Sequence, residues 1–183
     1  FDQRIASCVV NPRACHETVL IYRPTQAKKR IAVVGGGPAG LSFAAVAAER
    51  GHAVTMYEKS DVLGGQFNLA MRIPGKREFG ESVAYYTERL RRAGVKVLLN
   101  QTATDTELAG YDEVVLASGI APRTPAIPGV EHKSVAGYVD VVMGRVPVGE
   151  RVVILGAGGI GFDVAVYLLE RNGRTQVEPA AFA

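Results

Sequence analysis

Apolar and polar positions along the chain fall into blocks that fit buried strands alternating with amphipathic helices. Ile31 to Val34 is an unbroken apolar run containing β-branched residues, as expected of a parallel strand covered on both faces. Pro38 to about Arg50 is rich in Ala and Leu and is followed by Gly51, which predicts a helix with Pro in its first turn and Gly just past its end. Ala53 to Tyr57 then reads as a second strand, so the segment is a βαβ unit whose crossover should be right-handed. Further on, Phe79, Val83, Tyr86 and Leu90 recur at helical spacing and predict a helix over Arg77 to Ala93, closed by Gly94 before a strand at Val95 to Leu99. Glu113 to Ala117 reads as another buried strand. Pro122, Pro125 and Pro128 then interrupt regular structure and mark a domain edge. After Gly149 the pattern restarts, with a strand expected over Arg151 to Leu155, a Gly-rich turn over Gly156 to Gly161 and a helix over Phe162 to Glu170. The first thirty residues show no sustained period and read as an extended connecting arm.

Composition narrows the class. The chain has 183 residues, of which 48% are hydrophobic, 21% charged and 21 are Gly. That length suits one domain and a piece of another. The Gly share exceeds the usual ~7%, so many backbone positions should need tight turns or close approach to a ligand. A formal net charge of +3 with an ordinary apolar fraction excludes a disordered chain, and no apolar run reaches the ~18 residues of a membrane span. The calculated pI of about 9.0 does not identify a nucleic-acid binder. The basic cluster Lys28, Lys29, Arg30 reads as a solvated linker end, and no alternation of aromatic and basic residues forms a base-stacking platform. Neither nucleic acid nor a membrane is expected as a partner. Cys8 and Cys15 are the only cysteines, the chain begins with Phe, and no signal-like segment is present, so a reducing, cytoplasmic setting is expected. His16, His52 and His132 lack any partner pattern for a triad or a metal site, which disfavours a hydrolase.

Two glycine motifs carry the chemistry. Gly35, Gly37 and Gly40 have G-x-G-x-x-G spacing, with Pro38 and Ala39 between them, directly between a predicted strand and a predicted helix. The first glycine permits the tight turn, the second lets backbone approach a pyrophosphate, and the third lets helix and strand pack closely. Helix-start amides and the helix dipole favour the diphosphate's charge. Glu58 ends the second strand, at about the distance along the chain where a carboxylate accepts hydrogen bonds from the adenosine ribose. Gly156, Gly158 and Gly161 repeat the spacing after a second predicted strand. Two such motifs imply two dinucleotides, most simply a flavin and a nicotinamide exchanging hydride. For either motif, a ligand-free strand-to-helix turn is the alternative reading.

At this point several segments align in order with a known family: Cys8-Val9-Val10-Asn11-Pro12-Arg13-Ala14-Cys15-His16-Glu17, the first glycine motif, Gly64-Gly65-Gln66-Phe67-Asn68, Ile73-Pro74-Gly75-Lys76, Leu116-Ala117-Ser118-Gly119-Ile120 with Pro122-Arg123-Thr124-Pro125, and Gly158-Gly159-Ile160-Gly161-Phe162-Asp163. Together they resemble the bacterial NADPH-dependent 2,4-dienoyl-CoA reductases, Old Yellow Enzyme-related flavoproteins that carry an iron-sulfur cluster. The resemblance covers essentially the whole chain but only a middle slice of the family. The fold it implies is α/β: a Rossmann-like FAD-binding domain with a parallel sheet, plus the start of a second dinucleotide-binding domain. In linear order this divides the chain into an arm from the iron-sulfur region (1–30), the FAD-binding domain (31–146) and the truncated start of an NAD(P)-binding domain (147–183).

The resemblance also implies roles. Cys8 matches the last of four cysteines that bind a 4Fe-4S cluster, the other three lying upstream of Phe1; apart from the resemblance, Cys8 reads as a plain structural thiol, and Cys15 has no matching role. Ala39 would face the FAD diphosphate, Glu58 the ribose, and Gly65 and Gln66 would run close to the cofactor. Lys76 matches a further flavin-contacting position, with a solvated lysine as the alternative. Ala103 would hold the adenine through its backbone, and Gly119 would pass near the flavin. In the whole enzyme the resemblance implies that NADPH reduces FAD, electrons cross the 4Fe-4S cluster, and FMN in an N-terminal barrel reduces the enoyl substrate. The implied partners of this chain are its dinucleotide cofactors, FAD and NADP(H), and the rest of its own polypeptide, namely the FMN barrel and a complete NADPH domain. No catalytic acid or base is expected within it, and alone it is expected to be inactive. The alternatives are a fragment of a related NADH:flavin oxidoreductase or amine dehydrogenase, and a non-catalytic nucleotide-binding module.

Overall fold

The computed structural model describes Cys8, Asn11 and residues 13–171. The rest of the expected arm (1–7, 9, 10 and 12) and the last part of the expected second domain (172–183) lie outside the described residues.

The elements follow in the order β1 (Arg30–Val34), α1 (Pro38–Glu49), β2 (Ala53–Tyr57), α2 (Phe67–Ala70), α3 (Glu78–Arg92), β3 (Lys96–Leu98), α4 (Asp105–Leu108), β4 (Glu113–Leu116), α5 (Tyr138–Val142) and α6 (Gly159–Arg171). The four strands form one sheet in the order β3-β2-β1-β4. All pairings are parallel, with Val33 opposite Met56, Val34 opposite Leu116 and Met56 opposite Val97. This is the Rossmann-like α/β architecture expected from the sequence. Chain order reverses across β1, which puts the switch point of the sheet between β1 and β4.

The hydrophobic pattern explains the core around the sheet. Ile31, Ala32 and Val33 of β1 are all buried, as an apolar strand covered on both faces should be. α1 starts on Pro38 at its first position, and beyond its C-terminal Arg50 cap Gly51 takes φ +101°. Its buried Gly40, Leu41, Ala44, Ala45 and Ala47 recur at helical spacing, and their small size lets the helix lie close to the strands. Leu41, Met56, Leu90 and Val33 are fully enclosed; each such burial stabilises by roughly 1.5–3 kcal/mol. α3 buries Tyr86 and Leu90 and carries Arg89, Arg91 and Arg92 in its last turn, where positive charge suits the helix dipole. The Arg89 guanidinium grips Glu49 of α1 with two bonds, 2.8 and 2.6 Å. The short α4 persists through a capping box: Thr104 Oγ1 accepts from Glu107 N–H, and Glu107 accepts from Thr104 N–H. Lys29 of the basic cluster meets Glu113 at 2.6 Å rather than standing as a bare linker end.

A second cluster is formed by Ile73, Val141, Val142 and Val164, with Leu69, Tyr138, Val146, Val148, Tyr167 and Leu168 packed on it. By spatial contacts the described residues form two compact units, one containing those up to Gly65 together with Glu81–Gly119, the other Gln66–Gly80 and those from Ile120 onward. Residues 66–80 group with the later segment. Among the described residues no helix is long and apolar enough to cross a membrane.

Two expectations are corrected. Arg151 to Leu155 is not a strand: among the described residues no neighbouring strand is available to take its backbone N–H and C=O groups, and a strand exists only through such a partner. Val153 and Leu155 are accordingly 85% and 69% exposed. Glu113 to Ala117 does form a strand, ending at Leu116, but it is not buried. Among the described residues β4 pairs only with β1, and Leu116 is 75% exposed, because an edge position leaves it without cover.

Candidate functional site

The first glycine motif connects the C-terminal end of β1 to α1, at the switch point of the sheet. Gly35 takes φ +110°, and its N–H donates to Tyr57 O at 2.8 Å. A Cβ on Gly35 would fall on Ala117 O at the end of β4, and a Cβ on Gly40 would fall on Gly35 O. Both positions therefore demand Gly for steric reasons, which ties the motif to close helix–strand packing. Gly37 is different. A Cβ there would meet nothing within 4 Å, so the space before it is open. It caps α1 with extended backbone, no side-chain cap bond and no acidic residue in the first turn. The first turn of α1 thus carries no acidic side chain of its own, which leaves its amides to an anionic ligand.

Glu58 is the buried charged residue of the described core, 6% exposed. Its Oε2 accepts Gly36 N–H at 2.7 Å, while Oε1 accepts Ser60 N–H at 2.7 Å and Ser60 Oγ–H at 2.6 Å. Burial pushes its pKa up, but the Ser60 hydroxyl, the Ser60 and Gly36 amides and the Lys59 charge outweigh it and hold the carboxyl below its ordinary value. Glu58 is therefore an ionised acceptor fixed against the glycine turn. Its backbone is fixed as well: Glu58 N–H donates to Leu98 O, and Glu58 O accepts Gln101 N–H, both at 2.9 Å.

Gly64 and Gly65 fold over the same turn. Gly64 N–H donates to Gly36 O at 2.8 Å. Gly65 takes φ +52°, and a Cβ on it would stand 3.0 Å from Gly37 Cα. Ala103 lies in the irregular segment that Gln101 anchors to Glu58. Gly119 takes φ +73° just beyond β4, two residues after the Ala117 carbonyl that crowds Gly35. One compact unit thus contains Gly35, Gly37, Pro38, Ala39, Gly40, Glu58 and Gly65, together with Ala103, two residues beyond Gln101, and Gly119, two residues beyond Ala117.

The other expected residues, Cys8 excepted, belong to the second unit. Gln66 is exposed and starts α2, its carbonyl accepting from Leu69 N–H and Ala70 N–H. Lys76 does not offer an unmatched positive charge: its Nζ sits 2.7 Å from both carboxylate oxygens of Asp163 on α6. The second glycine motif reproduces the first locally. Gly156 takes φ +116°, and a Cβ on Gly161 would fall on Gly156 O, just as Gly40 meets Gly35 O. Gly158, like Gly37, opens onto empty space. Cys8 is exposed, with Asn11 N–H donating to its sulfur at 3.4 Å. Among the described residues no group of three or more His, Cys, Asp and Glu could hold a metal ion.

Sequence reasoning missed Ser60, which holds Glu58 with two donors; a hydroxyl two residues after the carboxylate is the signal that could have found it, since Ser folds back onto neighbouring chain. It also missed the pair Tyr57 and Tyr111, whose hydroxyls lie 3.0 Å apart. That bond, with burial, pushes the Tyr57 phenol up to about 12. His52 accepts Lys29 N–H through Nδ1 at 3.2 Å.

A parallel α/β sheet with a glycine turn at its switch point and an acidic residue closing the second strand defines a nucleotide-cofactor-binding module. Residues 29–178 match the pyridine nucleotide-disulphide oxidoreductase family, and the chain belongs to that family. It is 38% identical over 176 residues to a metal reductase of Desulforamulus reducens, covering 93% of this chain and 26% of that protein. It is 39% identical over 184 residues to an NADH oxidase of Thermoanaerobacter brockii, covering 97% and 28%. The solved structure of a 2-naphthoyl-CoA reductase superposes with a TM-score of 0.85 at 36% identity, over 91% of this chain and 26% of that one. The chain spans about a quarter of the length of these relatives.

Proposed function

We propose that the chain is the FAD-binding electron-transfer portion of an NADPH-dependent oxidoreductase similar to 2,4-dienoyl-CoA reductase. The observation that carries this reading is Glu58, buried and ionised at the end of β2 and hydrogen-bonded to Gly36 inside the glycine turn. The residues fit the adenosine diphosphate half of FAD. Open space at Gly37 and the uncapped start of α1 suit the diphosphate; Oε2 of Glu58 retains a lone pair for a ribose hydroxyl; Gly65 keeps the flanking backbone thin; and the backbone near Ala103 is held beside Glu58 to meet the adenine. Gln66, Lys76 and Gly119 are proposed to contact the flavin side, Lys76 with its charge already balanced by Asp163. When bound, FAD would accept two electrons together and release them singly. Gly156, Gly158 and Gly161 are proposed to receive NADP(H). In the full-length protein Cys8 would contribute one ligand to a 4Fe-4S cluster, with an FMN-bearing domain completing the route to an enoyl substrate.

The similarity to an NADH oxidase favours a second reading in which the same module serves another substrate domain. The two readings share the FAD site and differ in chemistry outside it. The test is uptake of FAD by the purified chain, followed by quenching of flavin fluorescence and by the absorbance that co-elutes with protein. Saturable uptake near one FAD per chain is expected, with no NADPH-driven enoyl reduction by the chain alone. Failure to take up FAD would leave only a non-catalytic module, and enoyl turnover by the chain alone would contradict the partial-enzyme reading.

A further inference from the structure

We propose that Ser60 is a positioning residue for cofactor binding: it fills one oxygen of the Glu58 carboxylate so that only the other oxygen is presented to the ribose. This rests on the FAD reading above.

A carboxylate has about four lone-pair sites, two on each oxygen. Oε1 of Glu58 receives both the amide and the hydroxyl of Ser60, at 2.7 and 2.6 Å, and is full. Oε2 receives Gly36 N–H at 2.7 Å and keeps one site. Glu58 can therefore accept one ribose hydroxyl, through Oε2, beside the amide of the turn that approaches the diphosphate. Rotation about the last side-chain bond of a glutamate is soft and roughly two-fold, so without the Ser60 hydroxyl the carboxylate is held less firmly, by the Ser60 and Gly36 amides alone, and Oε1 regains an open acceptor site.

Ser60 is itself held by protein. Asn100 N–H donates to Ser60 O at 2.9 Å. Asn100 has φ +54°, a left-handed conformation that Asn tolerates better than most residues. The flanking bonds of Glu58 to Leu98 and Gln101 hold the same stretch to the end of β3. The orientation of the acceptor is thus built before any ligand arrives, which reduces the ordering that binding must supply. The groups that face Glu58 are the Gly36 amide from the turn after β1, and the Ser60 amide and hydroxyl with the Lys59 ammonium after β2.

The experiment compares the full chain with Ser60→Ala, Ser60→Thr, Glu58→Gln and the Ser60→Ala/Glu58→Gln pair. FAD affinity is read by fluorescence quenching, and the Glu58 carboxyl is titrated by carbon-13 NMR without cofactor. Ser60→Ala should bind FAD about tenfold more weakly, as loss of one hydrogen bond to a charged group implies. Ser60→Thr, which keeps the hydroxyl, should stay within about twofold of the parent. In the Glu58→Gln background, Ser60→Ala should add less than about twofold, because it acts through the carboxylate. In cofactor-free protein the Glu58 midpoint should rise in Ser60→Ala and return in Ser60→Thr. Parent-like affinity and midpoint in Ser60→Ala, in a chain that does bind FAD, overturn this inference alone. A full tenfold loss that persists in the Glu58→Gln background overturns it equally. A parent chain that takes up no FAD overturns the cofactor reading and this inference with it.

Discussion

Glu58→Gln isolates what the buried carboxylate does for the fold before any cofactor is present. Three donors converge on it: Gly36 N–H on Oε2, and Ser60 N–H and Oγ–H on Oε1. The amide side chain has one acceptor oxygen and one NH2 donor. With its oxygen toward Ser60, the NH2 faces Gly36 N–H across the 2.7 Å that the carboxylate now bridges. Flipped, it satisfies Gly36 and faces the Ser60 amide instead. Either way a buried N–H loses its acceptor, which costs about 1–3 kcal/mol. Relief from burying a charge offsets part of this, leaving about 2 kcal/mol. At a urea dependence of about 2 kcal/mol per molar, the unfolding midpoint should fall by about 1 M in cofactor-free protein near neutral pH, read by circular dichroism. The loss should also depend on pH. The folded-state pKa of Glu58 is depressed from the ordinary value of 4.5, so the stability its ionisation contributes is fully present above that value and is lost as pH falls through the lowered one. The gap between parent and variant should narrow in that acid window. Coincident midpoints at neutral pH, or a gap that widens on acidification, would refute the reasoning.

Two further outcomes follow from the same geometry. Gly40→Ala would place a methyl on Gly35 O and push α1 from the strand; a loss of up to about 3 kcal/mol is expected, together with loss of FAD uptake, and an unchanged thermal midpoint would remove Gly40 from the packing role. Tyr111→Phe deletes the bond that contributes most to raising Tyr57 but leaves Tyr57 buried at 5% exposure, so the Tyr57 phenol should titrate below about 12 but above the ordinary 10.0, followed by tyrosinate absorbance; no movement would mean that burial alone sets it.

Local pattern determined much of this protein. Ile31 to Val34, Pro38 to Arg50 and Ala53 to Tyr57 each carry a period, a cap or a breaker that acts within a few residues, and the strand–turn–helix–strand unit emerges from them without long-range information. The glycine motif and Glu58 were legible for the same reason, since their spacing reflects a turn and a strand of nearly invariant length. Other features needed the tertiary structure. Arg151 to Leu155 has the composition of a strand, yet it forms none among the described residues, because a ladder depends on a neighbour that local sequence does not specify. Leu116 is apolar and in a strand but lies on an exposed edge, since burial depends on which strand comes next in space. Lys76 has a position that its neighbours announce and a charge that Asp163, far along the chain, cancels. Ser60 shows the same limit at the site itself. The sequence placed a carboxylate at the end of β2, and only the folded chain showed which oxygen keeps an acceptor site, because hydrogen-bond saturation is decided by three-dimensional contacts among Gly36, Glu58, Ser60 and Asn100.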